Sequence, residues 1–179
     1  MRKLRYVVAS TLDGFICRED GSFDDFPNEG DHVQAYLDLL ASFDAVLMGR
    51  ATYEVGLKLG VTSPYPTMKQ YVVSSSMSQS PDPAVELVSQ DVGGLVRRLR
   101  SEPGGDIYLC GGAVLATALV DEGLVDEITL KLNPIVLGSG IPFLYDTAEP
   151  LDLALSDMQR FDTGVVFLTY TVNRTARSS

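Results

Sequence analysis

Apolar positions along this chain follow two rhythms. Residues 4–11, "LRYVVAST", set Tyr6, Val7 and Val8 in succession, the run expected of a strand buried on both faces. A stretch rich in Gly, Asp and Pro over residues 13–30 predicts a loop. Asp31 with Gln34 three residues on has the form of a capping box. Val33, Tyr36, Leu37, Leu40 and Phe43 then recur at helical spacing, so an amphipathic helix with one buried stripe is predicted. In "DAVLMGRATYEVGLKLG" an apolar run at 45–48 meets Gly49, and residues 50–59 are suited to a helix. "KQYVVSSS" (69–76) and "AVELVS" (84–89) read as short strands, and a helix is predicted from Asp91 to Arg100. The segment "DIYLCGGAVLATALVDEG" (106–123) repeats the strand, glycine, helix form, with a strand at 107–110 and a helix after Gly112.

Beyond Gly123 the rhythm changes. "LVDEITLKLNPIVLG", "LDLALSDMQRF" and "GVVFLTYTVN" show partial alternation with no helix between them, which predicts antiparallel strands at one edge of the sheet. The fold class is therefore α/β, a central mixed sheet with an antiparallel C-terminal end. Nothing in the pattern divides the chain, so one domain is expected over residues 1–173. "RTARSS" (174–179) is expected to be a disordered tail.

Two strands that end in glycine ahead of a helix raise a chemical question. In an open, mostly parallel sheet, ligands bind outside the carboxyl ends of the strands, where helices begin. The first N–H groups of a helix lack intrahelical partners and the dipole there is positive, so backbone alone can hold a phosphate. Glycine allows close approach and unusual backbone angles. The plain alternative for Gly111 and Gly112 is a tight turn and nothing more. "GRAT" (49–52) adds Arg50, whose planar fork suits phosphate, and the Thr52 hydroxyl, while "SSS" (74–76) offers hydroxyls at a third strand end. Two helix starts at one sheet edge could share a pyrophosphate.

Composition narrows the partners. Lys and Arg number 14 and Asp and Glu 24, a net charge of −10, which argues against a nucleic-acid surface and requires any anionic ligand to find a locally positive pocket. Cys17 and Cys110 lie far apart and His32 is the single histidine, so no metal site is expected. His32 reads as a solvated helix residue and Cys110 as a packing residue. Glu54 reads as a favourable charge near a helix start. No apolar run is long enough to span a bilayer and the opening residues make no convincing signal peptide, so a cytoplasmic location is expected.

Taken in order, "STLDGFI", "MGRATYE", "KQYVVSSS", "YLCGGAVLATAL" and "LNPIVLGSGIPF" resemble the dihydrofolate reductase fold, in particular the branch that includes the reductase domain of bacterial riboflavin biosynthesis. The resemblance covers residues 2–173 and implies a three-layer α/β/α domain with NADPH across the strand ends. It implies that Gly49, Arg50 and Thr52 surround the adenosine side and pyrophosphate, with Arg50 near the 2′-phosphate. Ser74 and Ser75 match the hydroxyl pair beside the adenosine ribose phosphate. Gly111 and Gly112 match a glycine pair that is often joined by a cis peptide. Ala9, Asp13, Gly14 and Ile16 match the segment lining the nicotinamide. Asp31 lies near the place of the acid that serves the pterin and is otherwise a helix cap; Asp13 is either a pocket residue or a turn former. These two carboxylates are the candidate catalytic groups. A homodimer is also implied, the alternative being that "PIVLGSGIPFL" packs on its own core.

Departures from the pattern limit the substrate. Met68 stands at or near the place of the arginine that anchors the folate tail, Lys69 lacks the bidentate fork, and the chain has no tryptophan. The zinc deaminase signals of the fused riboflavin enzyme are also missing. The expected activity is thus hydride transfer from NADPH to a small pyrimidine- or pterin-like heterocycle. A non-catalytic nucleotide-binding protein and a flavin-binding reductase are the alternatives.

Overall fold

The computed structural model describes residues 1–173, and the tail at 174–179 lies outside them. The chain runs β1 (Leu4–Thr11), β2 (Phe15–Cys17), α1 (Asp31–Leu40), β3 (Phe43–Gly49), α2 (Arg50–Lys58), β4 (Lys69–Val73) and β5 (Val85–Val88). It continues through α3 (Val92–Ser101), β6 (Asp106–Cys110), α4 (Ala113–Asp121), β7 (Glu127–Asn133), β8 (Ile141–Pro142), β9 (Asp152–Arg160) and β10 (Val166–Asn173). The main sheet has the order β5-β4-β3-β6-β1-β7-β10-β9. The strands from β5 to β7 pair in parallel, and β10 is antiparallel to both β7 and β9. The change in rhythm after Gly123 thus marks the change in pairing.

Alternation within the strands builds two cores. Tyr6 and Val8 join Leu47, Ile107 and Leu109 on one face, under Leu95, Val96 and Leu99 of α3 and Ala116 and Leu119 of α4. Val7, Val46, Met48 and Tyr108 point the other way, against Tyr53 of α2 and Tyr36, Leu39 and Leu40 of α1. Strands buried on both faces need apolar side chains at nearly every position, which is why these runs show little alternation. The result is the three-layer α/β/α arrangement. No helix among the described residues is long and apolar enough to cross a membrane.

Several local expectations change. Phe43 opens β3 instead of closing the helical stripe, and Leu37 is half exposed. The inward face of α1 is carried by His32, Tyr36, Leu39 and Leu40: Tyr36 and Leu40 keep the predicted stripe, while His32 and Leu39 replace Val33 and Leu37 on it. His32 is buried, not solvated: one ring nitrogen lies 3.1 Å from the Pro27 carbonyl and the other 3.0 Å from the Thr163 hydroxyl. The capping box is not formed either. Gly30 occupies the cap with φ 121°, a conformation that favours glycine, and Asp31 is the first helical residue. Gln34 turns to Asp38 at 2.8 Å. The predicted loop at 13–30 contains β2, which pairs with β8.

Charge is concentrated at the amino ends of the strands. Arg2 is buried against Asp44, Arg100 pairs with Asp126, and Arg5 reaches Glu127 at 3.4 Å and Asp106 at 3.7 Å. These bonds fasten the edge opposite the one where α2 and α4 begin.

Candidate active site

β3 and β6 are parallel neighbours, so Gly49 and Gly111–Gly112 leave the sheet side by side. Gly49 keeps an extended backbone as the cap of α2, and Gly112 is the cap of α4; neither helix start receives a side-chain hydrogen bond. The first N–H groups of both helices therefore remain open to a ligand. Gly111 has φ 55° and Gly112 φ 79°, in the region that costs an L-residue about 1–2 kcal/mol. A Cβ added at Gly112 would lie 3.2 Å from the Thr52 hydroxyl, and one at Gly49 would meet the Leu115 side chain at 3.9 Å. The two helix starts thus face each other closely. The Gly111–Gly112 bond is trans, contrary to the expectation of a cis peptide; the two positive φ angles make the turn on their own.

Both starts open into one cavity of about 1090 Å³. Of the residues singled out from the sequence, Ala9, Ile16, Gly49, Arg50, Thr52, Gly111 and Gly112 line it. Arg50 is half exposed and bonded to Glu54 at 3.0 Å, an exposed pair of little energetic weight that leaves the guanidinium free to turn to an anion.

Gly14, Ser74, Ser75, Asp13 and Asp31 lie outside the lining. β4 ends at Val73, earlier than predicted, because Ser74 folds into a turn in which its buried hydroxyl accepts from the N–H groups of Ser76 and Met77 at 3.2 and 2.9 Å. Ser75 is exposed beside it. Gly14 backs onto Phe143. Asp13 accepts from the Thr11 hydroxyl at 2.6 Å and from the N–H groups of Leu137 and Gly138 at 3.2 and 2.7 Å. These bonds, the hydroxyl first, hold its carboxyl below the usual range, and they tie the first loop to the 134–140 loop. Asp31 accepts from the N–H groups of His32 and Asp162. Both carboxylates are occupied by backbone N–H groups, which explains their presence without reaction chemistry.

Reasoning from the sequence missed the opposite wall. Tyr36, Tyr65, Tyr108, Cys110 and Lys131 line the cavity together. The hydroxyls of Tyr36 and Tyr108 are 3.0 Å apart, and the Tyr65 hydroxyl is 3.0 Å from the Cys110 Sγ. Burial pushes the ionisation of Tyr65, Tyr108 and Cys110 upward, so these groups stay neutral. Lys131 is the charged member. Its Nζ sits 3.8 Å from the centroid of the Tyr36 ring and 5.8 Å from that of Phe167, and among the described residues it meets no carboxylate. Desolvation lowers its pKa from 10.5 to about 8.

A signal for this wall existed. In β7, Ile128, Leu130 and Leu132 alternate with Thr129, Lys131 and Asn133, so polar residues point to a face that α1 covers. Thr129 bonds to Thr169 and Asn133 donates to the Ser10 and Lys131 carbonyls; the Lys131 ammonium is the one left for the cavity.

Comparison with known proteins agrees with this geometry. The model of the RibD C-terminal domain matches residues 2–167. The uncharacterized protein YwjB of Bacillus subtilis is 34% identical over 167 residues, covering 92% of this chain and 95% of its own. A Shewanella sp. PV-4 crystal structure of a protein named for riboflavin biosynthesis superposes with a TM-score of 0.84 at 24% identity, covering 96% and 99% of the two chains. Enterococcus faecalis dihydrofolate reductase, complexed with NADP(H), gives 0.67 at 17% identity over 96% and 97%. A family match across nearly the whole sequence, on a sheet and helix order shared with dihydrofolate reductases, means that this chain belongs to the RibD C-terminal domain family.

Proposed function

We propose that the protein is an NADPH-dependent reductase that transfers a hydride to a small pyrimidine- or pterin-like heterocycle. The observation that carries this reading is the pair of uncapped helix starts of α2 and α4, set beside Arg50, opening into a cavity that continues to an aromatic and cationic wall. The residues present fit a dinucleotide: the positive-φ glycines leave a cradle that a Cβ would fill against Thr52. The relatives add support, because the family is that of a reductase domain and the Enterococcus enzyme is complexed with NADP(H).

In this reading the N–H groups after Gly49 and Gly112 hold the pyrophosphate, and Arg50 exchanges Glu54 for the 2′-phosphate. The exposed Ser75 hydroxyl serves the adenosine ribose phosphate, with Ser74 shaping its turn. Ala9 and Ile16 bound the nicotinamide, and Gly14 with Asp13 fixes the loop that carries Ile16. NADPH, when bound, supplies the hydride; the protein's part is to orient, to exclude water and to manage the proton. Two free thiols suit the reducing cytoplasm, where we place the enzyme. We further propose a homodimer through the outer strand β9, whose Leu155 and Met158 are exposed. The loop first expected to need a partner already packs Phe143 and Leu144 on its own core.

Fluorescence titration tests the reading. NADPH binds in preference to NADH, and Arg50→Ala weakens NADPH by about 10- to 100-fold, the usual range for one hydrogen bond to a charged group, while leaving NADH unchanged. Equal affinity of wild type and R50A for NADPH, or no binding of either nucleotide, overturns it.

A further inference from the structure

Among the described residues four charged side chains line the cavity: Arg50, Asp91, Glu122 and Lys131. Three are already engaged, Arg50 by Glu54, Asp91 by the Gly94 N–H at 2.9 Å, and Glu122 by Arg97 at 3.4 Å. Among the described residues Lys131 meets ring faces and no carboxylate. In the register of the sheet it lies directly beside Ala9 of β1, about 5 Å away, and two strand spacings, about 10 Å, from β6, the strand that leads into Gly111. The cavity thus has two cationic poles, one at the helix starts and one at the aromatic wall.

We infer that Lys131 is the acid of the reaction, a catalytic residue whose ammonium holds the acceptor oxygen or nitrogen of a conjugated carbonyl or imine substrate and gives it the proton. The inference rests on the reductase reading. The substrate carbon of the C=N or C=C–C=O group accepts a hydride from the reduced nicotinamide, which leaves oxidised. The π pair moves to the nitrogen or oxygen, the N–H bond of Lys131 breaks toward that atom, and neutral Lys131 regains a proton from water. The acceptor becomes negative at the moment of transfer, so a fixed cation favours the transition state over the neutral ground state.

The surroundings suit that task. Facing Lys131 are Tyr36 from α1 and Phe167 from β10, with Tyr108 and Cys110 of β6 and Tyr65 lining the same cavity, all uncharged in the folded protein. Among the described residues no neighbouring carboxylate competes for the ammonium. Desolvation brings its pKa to about 8, close to a working pH, where a general acid is most effective. Tyr36 covers one side of Nζ with its ring face.

Barbiturate is the probe, a planar pyrimidine that carries in its ground state the delocalised oxyanion that the reaction would create. Its binding to the NADP⁺-saturated protein is measured by calorimetry near pH 8.5 (about half a unit above the folded pKa, where proton uptake is large) in two buffers of different ionisation heat. The expected result is binding with proton uptake in the wild type. Lys131→Met lowers affinity about 10- to 100-fold and abolishes the uptake, and Lys131→Arg keeps much of the affinity without the uptake. Binding that is absent, equal in K131M, or free of proton uptake overturns the assignment. A parallel NADPH titration separates the two claims: NADPH bound equally by wild type and K131M with barbiturate unaffected refutes Lys131 alone, whereas no NADPH binding by the wild type refutes the reductase reading beneath it.

Discussion

A desolvated, half-buried cation that meets no counter-ion among the described residues should weaken the fold that holds it, and Lys131 makes that expectation measurable. Its pKa falls from 10.5 in the unfolded chain to about 8 in the folded one because burial disfavours the charged form. Between those two values the unfolded chain binds more protons than the folded protein, so this group makes stability rise with pH there. Below pH 8 the penalty is complete and constant. At about 1.4 kcal/mol per pH unit the shift corresponds to about 3 kcal/mol, and water entering from the cavity reduces it to about 2. Lys131→Met removes the charge and keeps an unbranched stem that can pack on the Tyr36 ring, exchanging a cation–π contact for a sulfur–aromatic contact of similar size. The variant should therefore be more stable than the wild type by about 2 kcal/mol at neutral pH, and its Tm higher by about 4–8 °C for a chain of this length. The difference should shrink through pH 9 and vanish near pH 10.5. Tyr36, Tyr65, Tyr108 and Cys110 are present in both proteins, so their own titration cancels in the comparison. Urea unfolding at a series of pH values, with m compared to confirm one transition, gives the curve. A variant less stable than wild type at pH 7, or a difference that does not change with pH, would refute the claim that this ammonium is held desolvated.

Gly112→Ala tests the cradle: the residue must keep φ near 79° with its Cβ close to the Thr52 hydroxyl, so we expect a net loss of about 1 kcal/mol, a Tm lower by about 2–4 °C, and weaker NADPH binding by titration. Unchanged melting and affinity would show that the turn tolerates a side chain and holds no ligand. For the assembly, light scattering should give twice the mass of the chain, and replacing both Leu155 and Met158 by Asp on the exposed face of β9 should give the single mass. A wild type that is monomeric at all concentrations contradicts the dimer.

The parts of the fold that could be read from the sequence are those decided by short-range rules. Apolar runs identified β1, β3 and β6, because a strand covered on both faces leaves no other choice of side chain, and the glycines after β6 and at the end of β3 marked where α4 and α2 open. The errors arise where a residue's environment depends on a distant segment. His32 looked solvated because its partners, Pro27 and Thr163, are loop atoms that only the folded chain brings together. Asp31 and Asp13 looked chemically available for the same reason, yet the N–H groups of Asp162, Leu137 and Gly138 occupy them.

Lys131 is the opposite case, a lysine in a strand that the pattern alone would assign to a solvated face. What makes it unusual is α1, whose Tyr36, ninety-five residues earlier in the chain, closes over that face. Tyr36 belongs to the predicted stripe and does face inward; what the pattern does not show is that Lys131 of β7 lies beneath its ring. Gln34 and Leu37, which stood among the expected capping and core positions, are left outside. His32 can be buried on the inward face because two loop atoms, the Pro27 carbonyl and the Thr163 hydroxyl, meet both ring nitrogens and remove most of the cost of burying a polar ring.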